Sequence, residues 1–116
     1  MEYDAIAPQV RSFLVEAEQI AVLSPEELEA LCIKRDQGDA QAAEALYQAH
    51  FPMLGDLIQH LPRDFKTPEL LARLLNCLRG LTDYYDFREQ PSNFGRTFSR
   101  VMRSEVGHWL EEQHRR

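Results

Sequence analysis

Side chains that bind metals or transfer protons are few in this chain, and their spacing does not bring them together. The residues in question are His50, His60, His108, His114, Cys32 and Cys77. The cysteines form no C-x-x-C pair, so the usual ligand spacing of a zinc site is missing. Glu105 and His108 share one helical face, but a di-iron bundle needs two Glu-x-x-His motifs and two further glutamates. The sequence therefore predicts neither a metal site nor a bound cofactor.

One acid–base pair is spaced for contact, since Asp56 and His60 lie one helical turn apart. No nucleophile lies between them and no third group is implied that would orient the imidazole, so a hydrolytic triad is not indicated. The five glycines are scattered and form no loop of the kind that cradles phosphate. We therefore predict a protein that binds a macromolecule rather than an enzyme.

A basic stripe near the C-terminus has the chemistry of nucleic-acid binding. Arg96, Arg100 and Arg103 occupy positions i, i+4 and i+7 of one helix, and Phe98 and Trp109 belong to the same helix. Guanidinium groups contact phosphates, while exposed aromatic rings stack on bases. These five residues form the candidate nucleic-acid site. The alternative is that the aromatic residues belong to the core and that the arginines are solvated or paired.

Signals for helix ends define the elements that carry these residues. Ser24 and Glu27 have the spacing of a capping box. A second helix start is predicted at Thr67, a capping residue that is followed by Pro68 and Glu69. Asp39 caps a third helix directly after Gly38, which favours a helix stop. The chain is therefore divided into several helices with short connections.

Two further signals complete the division. Pro52 removes a backbone donor, so a bend or a new helix is expected there. The segment 86–93 is rich in turn-forming residues, and either Ser92 or Asn93 can cap the last helix. Apolar residues recur at helical spacing, and no stretch alternates with period two. The predicted fold class is all-α, a compact bundle of five or six helices in one domain over residues 1–116, with an N-terminal helix at about 7–21 packed on it.

The two cysteines, both within apolar helical patterns, fit a reducing compartment, so a cytoplasmic protein is predicted. The N-terminus is acidic and no apolar segment follows it, so neither a secretory signal nor a membrane span is expected.

Residues 1–58 hold eleven acidic and three basic residues, a net charge of −8, whereas residues 59–116 hold eight acidic and ten basic residues, a net charge of +2. The acidic half disfavours non-specific nucleic-acid binding by the whole surface, so any such contact is expected in the C-terminal half.

Four segments, in order and nearly without gaps, follow one family pattern. They read L-S-P-E-E-L-E-A-L at 23–31, G-D-A-Q-A-A-E-A-L at 38–46, L-T-D-Y-Y-D at the end of 69–86, and M-R-S-E-V with W-L within 102–110. Together they resemble the helical region-two domain of bacterial RNA polymerase sigma factors, over about residues 20–112. The resemblance implies a stand-alone sigma-like module in transcription control that binds the RNA polymerase core, promoter-like DNA or both.

The resemblance also assigns roles to residues. Arg73, Asn76, Arg79 and Asp83 lie on the helix that would face the polymerase, so they form the candidate partner-binding site. The arginines and aromatic residues of the last helix would face nucleic acid.

The chain departs from the family pattern in ways that support an alternative. Ala72 and Arg73 stand where the family has polar clamp-binding residues, and Thr97 stands where it has a tyrosine. The domain that full sigma factors use for the upstream promoter element is also not expected here. The alternative function is a helical protein-interaction module that has lost promoter function: an adaptor, a chaperone-like partner or an inhibitor, with a homodimer as its simplest form.

Overall fold

Six α-helices make up most of the chain that the structure describes, residues 6–88 and 93–115 of a computed structural model. They are α1 (Pro8–Glu18), α2 (Pro25–Asp36), α3 (Ala40–Ala49), α4 (Phe51–Gln59), α5 (Pro68–Tyr84) and α6 (Phe94–His114). A short 3-10 helix, Arg63–Phe65, lies between α4 and α5. The described residues contain no strand, which confirms the predicted all-α class and the bundle of five or six helices.

The predicted caps are present at three helix starts. The Ser24 hydroxyl accepts from the Glu27 amide at 3.1 Å, and the Ser24 amide donates to the Glu27 carboxylate at 3.0 Å, which completes the capping box. The Asp39 carboxylate and the Thr67 hydroxyl each accept first-turn amides of the helix that they precede. Gly38 has a φ of +92°, a backbone conformation that glycine adopts at little cost. These interactions explain why α2, α3 and α5 begin where they do.

The other expected boundaries are less regular. His50 alone separates α3 from α4, and Pro52 lies in the first turn of α4, where its missing N–H has no intrahelical partner to lose. Asn93 immediately precedes α6, whereas Ser92, the other proposed cap, lies outside the described residues. The break at Pro52 is therefore a new helix rather than a bend in one.

One hydrophobic cluster draws buried side chains from all six helices. Its members include Val10, Cys32, Leu46, Leu54, Leu74 and Met102. The long helix α5 lies at the centre, since it packs on α1, α3 and α6. Helices α1 and α4 cross at Ala17 and Gly55, where a Cβ added to Gly55 would lie only 3.2 Å from the Ala17 Cβ. The small side chains at this crossing allow the two helices to approach closely.

Helix α2 is attached to the rest of the bundle in an unusual way. Cys32 is its only fully buried side chain. The Arg35 side chain is 8% exposed, and its Nη1 atom donates to the backbone carbonyls of Thr82 and Tyr85, both at 2.8 Å. These carbonyls lie at the C-terminal end of α5, where unpaired oxygens carry partial negative charge that favours a cation. Arg35 therefore fastens α2 to the end of α5.

Candidate functional site

Three arginines form an exposed row on α6. Arg96, Arg100 and Arg103 are all exposed, and none has an ion pair or side-chain hydrogen bond in the described part of the chain. The row, defined by these three residues, spans about 10 Å at the rise of an α-helix. Guanidinium groups without internal partners are available to phosphate oxygens. The basic part of the predicted nucleic-acid site is thus brought together on one surface.

The aromatic part of that site is placed differently from the prediction. Phe98 is 3% exposed and Trp109 is 5% exposed, and both belong to the hydrophobic core. Trp109 packs edge-on against Phe65, with ring centroids 5.4 Å apart. The helical repeat turns these rings away from the arginine row, so they are not available to stack on bases. The spacing of Phe98 with Met102, at i and i+4, is the sequence signal for this core position.

A groove of about 570 Å³ lies between α4 and α6, beside the arginine row. Arg103 and Ser99 line it from α6, and Asp56 of α4 and His60, which directly follows α4, line the other side. The His60 Nδ1 atom donates to the Asp56 backbone carbonyl at 2.7 Å, while the Asp56 carboxylate lies 3.8 Å from it. Sequence reasoning missed Ser99, because it is far from Asp56 and His60 in the chain. No hydrogen bond joins Ser99 to His60 within the described residues, so the three groups do not form the relay of a hydrolytic triad.

On α5, Arg73 is used within the fold. Its Nε atom donates to Glu105 at 2.7 Å, and its Nη1 atom donates to Glu112, both on α6. These two hydrogen bonds, with Glu112 the stronger cause, raise the pKa of Arg73 above its usual value. Arg73 therefore joins α5 to α6, and a partner would have to compete with two carboxylates for it.

Arg79 joins α5 to α3 in a similar way. Its Nη1 atom lies 2.7 Å from the Glu44 carboxylate, and its guanidinium lies over the Tyr47 ring at 3.6 Å from the ring centroid. The hydrogen bond from Arg79 lowers the pKa of Glu44. Asn76 is exposed and Asp83 is half-buried. Of the four predicted partner-binding residues, which we call the α5 face, Asn76 is thus the most accessible.

A buried histidine occupies the junction of α3 and α4. His50 is 7% exposed, and its ring packs against Phe87 and Phe94, with centroids 5.4 and 4.4 Å away. Its Nδ1 atom lies 2.7 Å from the Leu46 carbonyl. A carbonyl only accepts, so Nδ1 carries the proton. Burial lowers the pKa of His50 from its usual 6.5, since the aromatic surroundings disfavour the charged ring.

This burial gives an expected pH dependence of stability. Between the usual pKa of 6.5 and the lower folded pKa of His50, the unfolded chain binds a proton that the folded chain does not. The free energy of unfolding should therefore fall as the pH drops below 6.5. Above pH 6.5 the contribution of the neutral His50 ring to stability is fully retained. Urea denaturation followed between about pH 5 and pH 8 measures the effect.

Two variants isolate the contribution of His50. His50→Phe keeps an aromatic ring and should flatten the loss of stability at acidic pH. His108→Gln removes an exposed histidine of α6 and should keep the wild-type profile. An unchanged profile in His50→Phe would assign the pH dependence to other groups.

Two further features of the described ranges concern metal binding and membrane spanning. No group of three or more histidine, cysteine, aspartate or glutamate side chains there is arranged to hold a metal ion. None of the helices described is both long and apolar enough to cross a bilayer.

The fold and these surfaces define an all-α bundle with an exposed arginine row. Comparison of the chain with protein-family models, with curated proteins and with solved structures gives no match. The resemblance to sigma factors therefore stays a prediction that depends on the sequence motifs.

Proposed function

We propose that this chain is a stand-alone, non-enzymatic helical module in transcription control that binds nucleic acid along the arginine row. The observation that supports this function is the set of three exposed arginines without internal partners on one face of α6. RNA polymerase is the proposed protein partner, and the exposed Asn76 of the α5 face is the position where contact is easiest.

The proposed contact is with the phosphate backbone. Because Phe98 and Trp109 are buried, the row contributes charge and hydrogen bonds rather than base stacking. Such binding releases counterions and weakens steeply as the salt concentration rises. The net charge of −8 on residues 1–58 repels the same polymer, which directs it to the C-terminal half.

Fluorescence anisotropy with labelled single-stranded and duplex promoter-like DNA tests the proposal. Arg96→Glu/Arg100→Glu should weaken binding at least about tenfold, because two phosphate contacts are replaced by repulsion. A plot of log affinity against log salt concentration has a negative slope. For a single strand, loss of two phosphate contacts should make that slope less steep by about 1.4. Trp109 emission should not change on binding, because its ring is buried.

The matched control is Lys34→Glu/Arg63→Glu, which changes the net charge by the same amount at exposed positions outside α6. This control should reduce affinity only slightly. If both double variants weakened DNA binding equally, the effect would be explained by the overall charge of the protein, which would contradict a site on α6. No salt-dependent binding by the wild type would reject nucleic acid altogether.

The polymerase part of the proposal is tested by pull-down of the core enzyme. Asn76→Arg is preferable to a change at Arg73, since Asn76 is exposed and Arg73 holds two helices together. Reduced capture by Asn76→Arg, with unchanged capture by the exposed control Gln41→Arg, supports the α5 face. Equal capture by both variants contradicts it.

A second candidate function, protein interaction, is favoured by one observation. Tyr84 is 87% exposed and lines an apolar groove of about 420 Å³ between α5 and α6, together with Gly80 and Val101. Exposed aromatic rings beside apolar grooves are common in protein interfaces. Absence of nucleic-acid and polymerase binding, with self-association in sedimentation that Tyr84→Ser removes, would favour this function.

A further inference from the structure

A cavity of about 170 Å³ lies beside His50, between the α1–α2 connection, the α3–α4 junction and the start of α6. Its apolar lining includes Val22, Leu28, Met53, Phe87 and Phe94, and the exposed Val22 and Met53 leave one side open to solvent. Among the described residues that line it, His50 alone has a polar side chain. An engineered apolar cavity of about 150 Å³ binds benzene, so this space is suited to one aromatic ring.

His50 gives the cavity a single hydrogen-bond acceptor. Because Nδ1 donates to the Leu46 carbonyl, the Nε2 atom of the neutral ring carries a lone pair. Nε2 has no hydrogen-bond partner among the described residues. Two side-chain nitrogens of the described residues, Trp109 Nε1 and Gln113 Nε2, are buried without a hydrogen-bond partner. His50 Nε2 is not one of these fully buried atoms. Nε2 is therefore not closed off from open space, and His50 lines the cavity.

We infer that this cavity is a binding site for a small aromatic compound with one hydrogen-bond donor, of the phenol class. The ring packs among the apolar walls, and the hydroxyl donates to His50 Nε2. A plain hydrocarbon leaves Nε2 unpaired, whereas a ring with several polar groups buries some of them without partners. The inference is independent of the proposed function, because no member of the arginine row lines the cavity.

Phenol and toluene are the probes, because they have nearly the same shape and differ in the hydroxyl group. We expect saturable phenol binding to the full chain by calorimetry, with a shift of the His50 ring signals in the NMR spectrum. In His50→Phe the affinity for phenol relative to toluene should fall at least about tenfold, since the acceptor is lost. An unchanged ratio, or no saturable phenol binding by the wild type, would overturn the inference.

A second variant covers the case in which His50→Phe does not fold. Gly95 lines the cavity and has open space around the position of a Cβ, so Gly95→Leu can narrow the cavity without a clash in the core. It should weaken the binding of both probes at least about tenfold. Gly107→Leu is the control, since Gly107 lies on the same helix in equally open space and does not line the cavity. Equal phenol binding by the two glycine variants would place the ligand elsewhere and reject the site.

Discussion

Arg35→Met is expected to lower the free energy of unfolding by about 2–4 kcal/mol, because each hydrogen bond to a charged donor contributes about 1.5–3 kcal/mol. The substitution removes both 2.8 Å hydrogen bonds that Nη1 donates to the carbonyls of Thr82 and Tyr85. Methionine retains much of the apolar stem of arginine. The loss of stability therefore measures the contribution of the guanidinium group rather than that of the packed stem. Urea denaturation followed by circular dichroism measures the change.

Two neighbouring substitutions are controls for Arg35→Met. Lys34→Met removes an exposed cation of the same helix and should change stability by no more than about 0.5 kcal/mol. Arg35→Lys keeps the charge but lacks the planar fork, so an intermediate loss is expected. If Arg35→Met matched Lys34→Met, water would be satisfying the two carbonyls and Arg35 would not fasten α2.

Leu74→Ala is expected to lower the free energy of unfolding by about 2–5 kcal/mol, the usual range for truncating a buried leucine. Leu74 is completely buried on α5, the helix that packs on α1, α3 and α6. The loss combines the transfer of the missing methyl groups with the cavity left among helices that cannot collapse fully. The same denaturation experiment measures it.

The control for Leu74→Ala is a truncation of similar size at the surface. Ile33 is 39% exposed on α2, and Ile33→Ala should lower stability by less than about 1 kcal/mol. A loss in Leu74→Ala as small as that would mean that α5 is not the centre of the core.

Helix starts were predictable because their signals are local. Ser24 and Glu27 interact across three residues, and Gly38 needs only its own backbone freedom to end α2. The all-α class followed from the same short-range patterns, since helical periodicity is visible within a few turns. The structure confirms these predictions at the level of elements.

Residue roles that depend on long-range contacts were not predictable in the same way. Arg73 was predicted to bind a partner protein, whereas its hydrogen-bond partners in the fold, Glu105 and Glu112, are 32 and 39 residues away in the chain. Nothing in the sequence shows that Arg35 reaches the end of α5, 47 residues from Thr82 in the chain. The buried state of Trp109 was one of two open alternatives, and packing against Phe65 decided between them. Tertiary contacts fix which side chains remain available to a partner.

The attachment of α2 has a consequence for native-state fluctuations. Helix α2 packs mainly on α3, has one fully buried side chain and is held to α5 by the Arg35 guanidinium, so we expect it to open while α1, α4, α5 and α6 stay packed. Such partial opening has a lower free energy than global unfolding, so the amide protons of α2 exchange with solvent sooner than those around Leu74. We therefore expect α2 to form an outer layer that opens more often when the two hydrogen bonds from Arg35 are removed.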